Sequence, residues 1–217
     1  MPVSQMHPKT PWRYEIPAWG LAALIFVAAF PGSLLLPASV SWENGPIENA
    51  QAATLAAAAV LAFVLGRRTS TATRFLWFGA AIVWAILVGR ELSWGAVFLD
   101  PVQMTDHGPT FSSSLLWYRP AVTPVVAMAG ALAVAMIAWS RPVRITRKLG
   151  KKRGGPVRDI LGFAAAMLIS TAAEDHMGLS LSFWPGDLQI LEEMVELSAY
   201  LFLFSGQAIV VRGLRDG

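Results

Sequence analysis

Residues 186–204, GDLQILEEMVELSAYLFLF, contain the two features that decide the fold of this chain: a long apolar run and three glutamates near its start. Beyond the third glutamate, Glu196, the run continues without a charge to residue 211. About 20 mostly apolar residues are needed to cross a bilayer whose hydrocarbon core is about 30 Å thick. The segment therefore predicts a transmembrane helix over about 188–211.

Five further segments have the same apolar character. The six predicted spans are about 17–36, 48–66, 73–92, 121–140, 157–175 and 188–211. Since no internal repeat or second domain is evident, residues 1–217 are predicted to form one all-α integral membrane protein, a bundle of about six transmembrane helices. A signal peptide cleaved after Ala38 or Ser39 is the less favoured reading of the first segment, because its apolar run is longer than a usual signal core.

The composition favours the same class of protein. Hydrophobic residues make up 55% of the chain and charged residues only 14%, whereas a soluble domain carries about a quarter charged residues. The chain has no cysteine, which excludes disulfides, thiolate metal sites and cysteine nucleophiles.

The basic residues are distributed unevenly. With six spans, 15 of the 17 lysines and arginines fall on one side, in the N-terminal tail, the loops at 67–74 and 141–158, and the C-terminus. The positive-inside rule then makes both termini cytoplasmic, in a multi-pass protein of the bacterial inner membrane. The loop at 141–158 is better explained as a topology determinant in contact with anionic lipid than as a nucleic-acid site. A homo-oligomer or a larger membrane complex stays open.

Acidic residues collect on the opposite side, most notably in the last span. Glu192 and Glu193 precede Glu196 by four and three residues, spacings that share one helix face. If the helix begins near Leu188, Glu196 lies about 12 Å along it, below the lipid headgroups. Carboxylates at that depth normally face the bundle interior, a partner or water. The alternative is a helix that begins late, with these acids solvated at its N-terminus.

Four residues are candidates for acid–base catalysis: Glu91, Glu196, Arg90 and His107. Arg90 and Glu91 end the third span, where Arg90 could neutralise Glu196 or Glu48 as a bidentate pair. The alternative for Arg90 is a surface ion pair of little energetic value. His107 lies in the loop 93–120, which is long enough to fold over the acids as a lid.

A second set of residues has side chains that could bind a divalent metal ion, the one cofactor considered: Glu48, Glu174, His176, Glu192 and Glu193. Glu174 and His176 are two residues apart, so both could bind one ion only if the fifth helix ends there. Two of these residues also have a simpler explanation. Glu48 lies in a first helical turn, where acids complement the helix dipole, and His176 could be a surface histidine.

Three short segments, ENGPIE (43–48), RELSWG (90–95) and EEMVE (192–196), carry a resemblance. They are similar to motifs of an uncharacterised group of bacterial polytopic membrane proteins, namely an E-D-G-x-x-E turn, an E-E-I-S-W-G segment and a late E-E-x-x-E helix. Asn44 and Arg90 stand where that group has an acid. The resemblance implies no particular activity. Membrane hydrolases of the alkaline ceramidase type hold zinc with three histidines and do not fit, because only two histidines lie on the acidic side.

Three functions remain open at this point, because several carboxylates in a low dielectric need compensation. The first is a metal-dependent or acid–base enzyme acting on a lipid or another hydrophobic substrate. The second is a proton- or cation-coupled transporter. The third is a structural or accessory membrane subunit in which the acids form a latch, and this function predicts a partner group for each acid.

Overall fold

The computed structural model describes residues 18–69, 71–105, 108–143, 145–146 and 156–215. The chain is mostly helical. Its six main helices are α1 (Ala18–Leu35), α2 (Pro46–Arg68), α3 (Thr73–Glu91), α4 (Arg119–Trp139), α5 (Val157–Ala173) and α6 (Leu188–Arg215). Short 3₁₀ helices lie at Ala38–Val40, Ser93–Phe98 and Ser113–Leu115.

Five of the described helices, α1, α2, α3, α4 and α6, are long and apolar enough to cross a membrane. This is consistent with the predicted all-α membrane protein. The remaining predicted span, 157–175, corresponds to α5, which has 17 residues and is the shortest of the six. Its length lies at the lower limit of about 17 residues for a membrane-crossing helix.

A small β-hairpin was not predicted. Strands β1 (Gln103–Thr105) and β2 (Gly108–Thr110) pair antiparallel, with Gln103 opposite Thr110 and Thr105 opposite Gly108. Strands of three residues are too short to show an alternating pattern, so the sequence gives no signal for them.

Helix α6 is the centre of the bundle and packs against α1, α2 and α5. Helix α2 also packs against α3, and α3 packs against α4. As a result α3 and α6 both lie on α2 but touch each other little. Their common core consists of Leu55, Ala58, Ala62, Trp84 and Tyr200, where the alanines of α2 allow the helices to approach closely.

The start of α6 is fixed by Asp187. Its Oδ1 accepts hydrogen bonds from the backbone N–H of Gln189 at 2.9 Å and of Ile190 at 3.2 Å, an N-cap arrangement. The helix therefore begins at Leu188, as the depth argument for Glu196 assumed, and does not begin late.

Candidate functional site: an acidic cluster at one end of the bundle

The acidic side chains come together at one end of the bundle, here called the acidic end. Four helix termini meet there: the start of α2, the ends of α3 and α5, and the start of α6. We define the acidic cluster as the six glutamates contributed by these termini, together with Arg90. The glutamates are Glu48, Glu91, Glu174, Glu192, Glu193 and Glu196.

Glu196 is the most deeply placed member of the cluster. Its side chain is 7% exposed, and its Oε1 accepts a hydrogen bond of 2.9 Å from the hydroxyl of the buried Ser170 on α5. Arg90, Glu91 and Glu174 are its electrostatic neighbours. The predicted burial of Glu196 is thus confirmed, and a neutral donor on another helix accompanies it.

Glu91 on α3 has a partner on α6. The buried hydroxyl of Tyr200 donates to Glu91 Oε1 at 2.7 Å. Tyr200 follows Glu196 by four residues and therefore lies on the same helix face. Sequence reasoning missed Tyr200, although this spacing was a usable signal.

Gln51 is a second functional residue that sequence reasoning missed. Its side chain is 0% exposed, and its Nε2 donates to Glu193 Oε2 at 2.9 Å and to the Glu193 backbone carbonyl at 2.8 Å. Among the described residues, its Oε1 has no hydrogen-bond partner. The available signal was a lone amide within the alanine-rich run of 48–66.

Glu48 has a local structural role. Its Oε2 accepts the backbone N–H of Asn44 at 2.6 Å, and Asn44 has a positive φ of 60°. Asn49 supports the same turn by donating to the carbonyls of Asn44 and Gly45, both at 2.8 Å. Glu48 lies in the first turn of α2, as the alternative expected, but its carboxylate holds the turn before the helix and does not bond to the N-cap residue Gly45.

Arg90 does not form the predicted bidentate pair with Glu196 or Glu48. In the described parts of the chain, ion-pair distances occur only between Arg158 and Asp159 and between His176 and Glu174. Arg90 is exposed and is an electrostatic neighbour of Tyr200, Glu196 and Glu91. The prediction was wrong, since Arg90 lies near these acids but outside ion-pair distance.

Glu174 and His176 lie at the surface. Helix α5 ends at Ala173, and Asp175 has a φ of 58°, so the chain turns and His176 Nδ1 reaches Glu174 Oε2 at 3.1 Å. His176 is 67% exposed. Glu192 is the neighbour of Glu174 on α6.

The metal candidates are divided among these local arrangements. Glu48 holds the turn before α2, Glu193 is bound by Gln51, and Glu174, His176 and Glu192 lie near one another. Within the described ranges, no three histidine or acidic side chains are placed to hold a metal ion.

The loop after α3 lies against the start of α2. Glu43 accepts a hydrogen bond from Ser93 Oγ at 3.2 Å and another from the backbone N–H of Phe111 at 2.8 Å. Asn44 Nδ2 donates to the Val97 carbonyl at 3.4 Å. The loop thus covers the α2 side of the acidic end. His107, the catalytic candidate within this loop, lies outside the described residues.

A strained turn begins this loop. Ser93, Trp94 and Gly95 have φ values of 45°, 58° and 100°, and residues other than glycine rarely adopt such positive values. Two contacts hold the turn: the Tyr118 hydroxyl donates to the Trp94 carbonyl at 2.6 Å, and the Trp94 ring packs onto Gly89.

No protein-family model matches this sequence, and no curated protein or solved structure matches it either. The function is therefore inferred from the geometry of the acidic cluster.

Proposed function

We propose that the chain is a structural or accessory membrane protein in which the acidic cluster is a latch holding four helix termini together. The observation that carries the proposal is the set of neutral donors. Glu91, Glu193 and Glu196 each accept a hydrogen bond from a different helix, through Tyr200, Gln51 and Ser170. Each bond joins two helices in the half of the bundle at the acidic end.

The burial of the donors supports this role more than a catalytic one. Ser170, Tyr200 and Gln51 are all buried, so a substrate could not reach them without opening the bundle. Removing one partner of a buried hydrogen bond leaves the other unpaired, which costs about 1–3 kcal/mol in soluble proteins. Interhelical hydrogen bonds in membrane proteins average about 0.6 kcal/mol and reach about 1.7 kcal/mol.

A coupled transporter is less well supported. Beyond Tyr200 toward the other end of the bundle, the buried polar side chains include those of Ser205, Gln207 and Asp159. Of these, Gln207 is already bonded. Trp84 Nε1 donates to Gln207 Oε1 at 2.6 Å, and Gln207 Nε2 donates to the Ala58 carbonyl at 3.2 Å. These groups fix the core of the bundle and do not continue the acidic cluster.

The proposal is tested by a double-mutant cycle of Ser170→Ala and Glu196→Leu, with unfolding by SDS in mixed micelles as the measurement. We expect each single change to lower the free energy of unfolding by about 1–2 kcal/mol, with a coupling energy of about 0.5–1.5 kcal/mol. The matched control is Thr54→Val, because the Thr54 hydroxyl bonds only to Ala50 of its own helix. Wild-type stability in Glu196→Leu, or no coupling, would overturn the latch.

Metal content separates the latch from a metal-dependent site. For a latch, elemental analysis of detergent-purified protein gives no stoichiometric zinc, iron, manganese or calcium, in wild type or in Glu196→Gln. A metal present near one equivalent and lost in the variant contradicts the proposal.

One observation favours an acid–base enzyme as a second candidate. Glu192 is half-buried, and no neutral side chain among the described residues donates to it; its neighbours are Glu174, Glu196 and Arg90. Glu192, with Arg90 beside it, is thus the accessible reactive group of the cluster. If the chain hydrolyses a lipid in vesicles, Glu192→Gln abolishes turnover at unchanged stability. If the cluster is only a latch, no turnover is found in either protein.

The orientation of the chain in the membrane is also part of this proposal. With six spans, the acidic end faces away from the cytoplasm and both termini are cytoplasmic, in the inner membrane of a bacterium. Membrane lipids are then the partners that surround the bundle.

A further inference from the structure

Two cavities meet at the end of the bundle opposite the acidic cluster, here called the basic end. The first has a volume of about 400 Å³ and lies between the end of α2, the start of α3 and the end of α6. Three hydroxyl side chains line it, those of Thr69, Thr71 and Thr73. We refer to it as the threonine cavity.

The second cavity, the apolar groove, has a volume of about 290 Å³ and runs along α3 toward the middle of the bundle. It lies between α3 and α6, which both pack on α2 and make few contacts with each other. Its wall includes Leu76, Val83 and Leu87 on α3 and Leu203 and Val210 on α6. Leu76 and Leu87 are 11 residues apart, about 16 Å along the helix, which is close to half of a hydrocarbon core about 30 Å thick.

Trp77 lines both cavities and connects them. Its side chain is 4% exposed, so its ring forms a wall shared by the two cavities. In the apolar groove itself the polar side chains of Trp84 and Gln207 are bonded to each other, so the groove offers carbon surface to an occupant.

The rim of the threonine cavity carries positive charge. Arg68, Arg74 and Arg212 are exposed, and each adjoins in sequence a residue that lines the cavity. None of the described acidic residues lines either cavity. Basic residues near a membrane surface attract anionic lipid by about 1 kcal/mol each.

We propose that these two cavities together bind one anionic phospholipid from the leaflet at the basic end. Its phosphate lies at the threonine cavity beside the arginines, its glycerol backbone passes Trp77, and one acyl chain occupies the apolar groove. The arginines select the charge of the headgroup, and the groove selects a lipid over a free phosphate. This site does not depend on the latch, because none of its residues belongs to the acidic cluster.

The experiment uses detergent-purified full-length chain and native mass spectrometry to count bound lipids, with thermal stability as a second readout. The probes are phosphatidylglycerol, phosphatidylcholine, glycerol 3-phosphate and oleate. We expect one phosphatidylglycerol bound, with at least tenfold preference over phosphatidylcholine, and no stabilisation by glycerol 3-phosphate or oleate. Equal binding of both phospholipids overturns the charge selection, and stabilisation by either fragment alone overturns the combined site.

Two variants with matched controls locate the site. Val83→Trp fills the apolar groove and should reduce phosphatidylglycerol binding at least tenfold, whereas Leu132→Trp places the same ring on the exposed face of α4, outside both cavities. Arg74→Gln should weaken binding about fivefold, whereas Arg158→Gln removes another exposed arginine, on α5 and outside both cavities. If a variant and its control lose the same amount of phosphatidylglycerol binding, the lipid does not bind at these two cavities. The lipid comparison on the wild-type chain stands even if Val83→Trp fails to fold.

Discussion

The charged side chains at the two ends of the bundle have different surroundings. At the acidic end, the carboxyl groups of Glu91, Glu193 and Glu196 are bound by donors within the protein. At the basic end, exposed arginines surround a threonine-lined cavity of about 400 Å³. At the first end three of the six glutamates have interhelical donors, which supports a structural role. The second carries exposed positive charge beside a cavity, which supports binding of an anionic lipid.

The largest expected effect is in cysteine labelling, which tests whether α5 crosses the membrane and so whether the acidic and basic ends lie on opposite sides of it. The chain has no cysteine, so single cysteines can be introduced into an otherwise unreactive protein. Val143 and Ser182 are exposed and lie on either side of α5. If α5 crosses the membrane, Ser182→Cys reacts with an impermeant maleimide in intact cells, and Val143→Cys reacts only after permeabilisation.

The wild-type chain is the control for this labelling and should remain unlabelled. Reaction of both cysteines from the same side would show that α5 does not cross, leaving five spans. Reaction of Val143→Cys alone in intact cells would invert the orientation.

A smaller effect concerns the strained turn at the acidic end. A Cβ added at Gly89 would lie 2.5 Å from the Trp94 ring, whereas one added at Gly130 of α4 meets nothing within 4 Å. Overpacking costs about 1–3 kcal/mol, so Gly89→Ala should lower the free energy of unfolding by that amount. Gly130→Ala should raise it by up to about 1 kcal/mol, the helix-propensity difference. Equal effects in SDS unfolding would mean that Trp94 does not pack on α3.

Much of the fold follows from the sequence, because membrane spans are encoded locally by apolar runs. The acids of α6 were also placed correctly, since Asp187 starts the helix at Leu188 and the spacing of Glu192, Glu193 and Glu196 follows from helix geometry. Their partners were harder to predict. Gln51 and Ser170 lie inside apolar runs on other helices, and only the packing of α2 and α5 on α6 brings them to the acids.

The Arg90 prediction failed for a related physical reason. Opposite charges near one membrane boundary suggest an ion pair, but pairing also requires the two side chains to reach each other. Helices α3 and α6 make few direct contacts because both pack on α2, and Arg90 stays exposed and outside ion-pair distance. Sequence reasoning has no access to that separation.

The smallest predicted effect, and the most direct test of the comparison, is at Asp159, an acid at the basic end. Its side chain is 1% exposed, and neither oxygen has a hydrogen-bond partner among the described residues. Arg158 Nε is 3.8 Å away on a side chain that is 60% exposed, so solvent screens the pair and it contributes little. Removing a poorly compensated buried charge is often neutral or stabilising. Asp159→Asn should therefore change the free energy of unfolding by between zero and about +1 kcal/mol, opposite in sign to Glu196→Leu. If SDS unfolding shows that Asp159→Asn lowers the free energy of unfolding by more than about 1 kcal/mol, Asp159 has a strong donor elsewhere in the chain. Buried acids at both ends of the bundle would then have donors within the protein, and the contrast between the ends would fail.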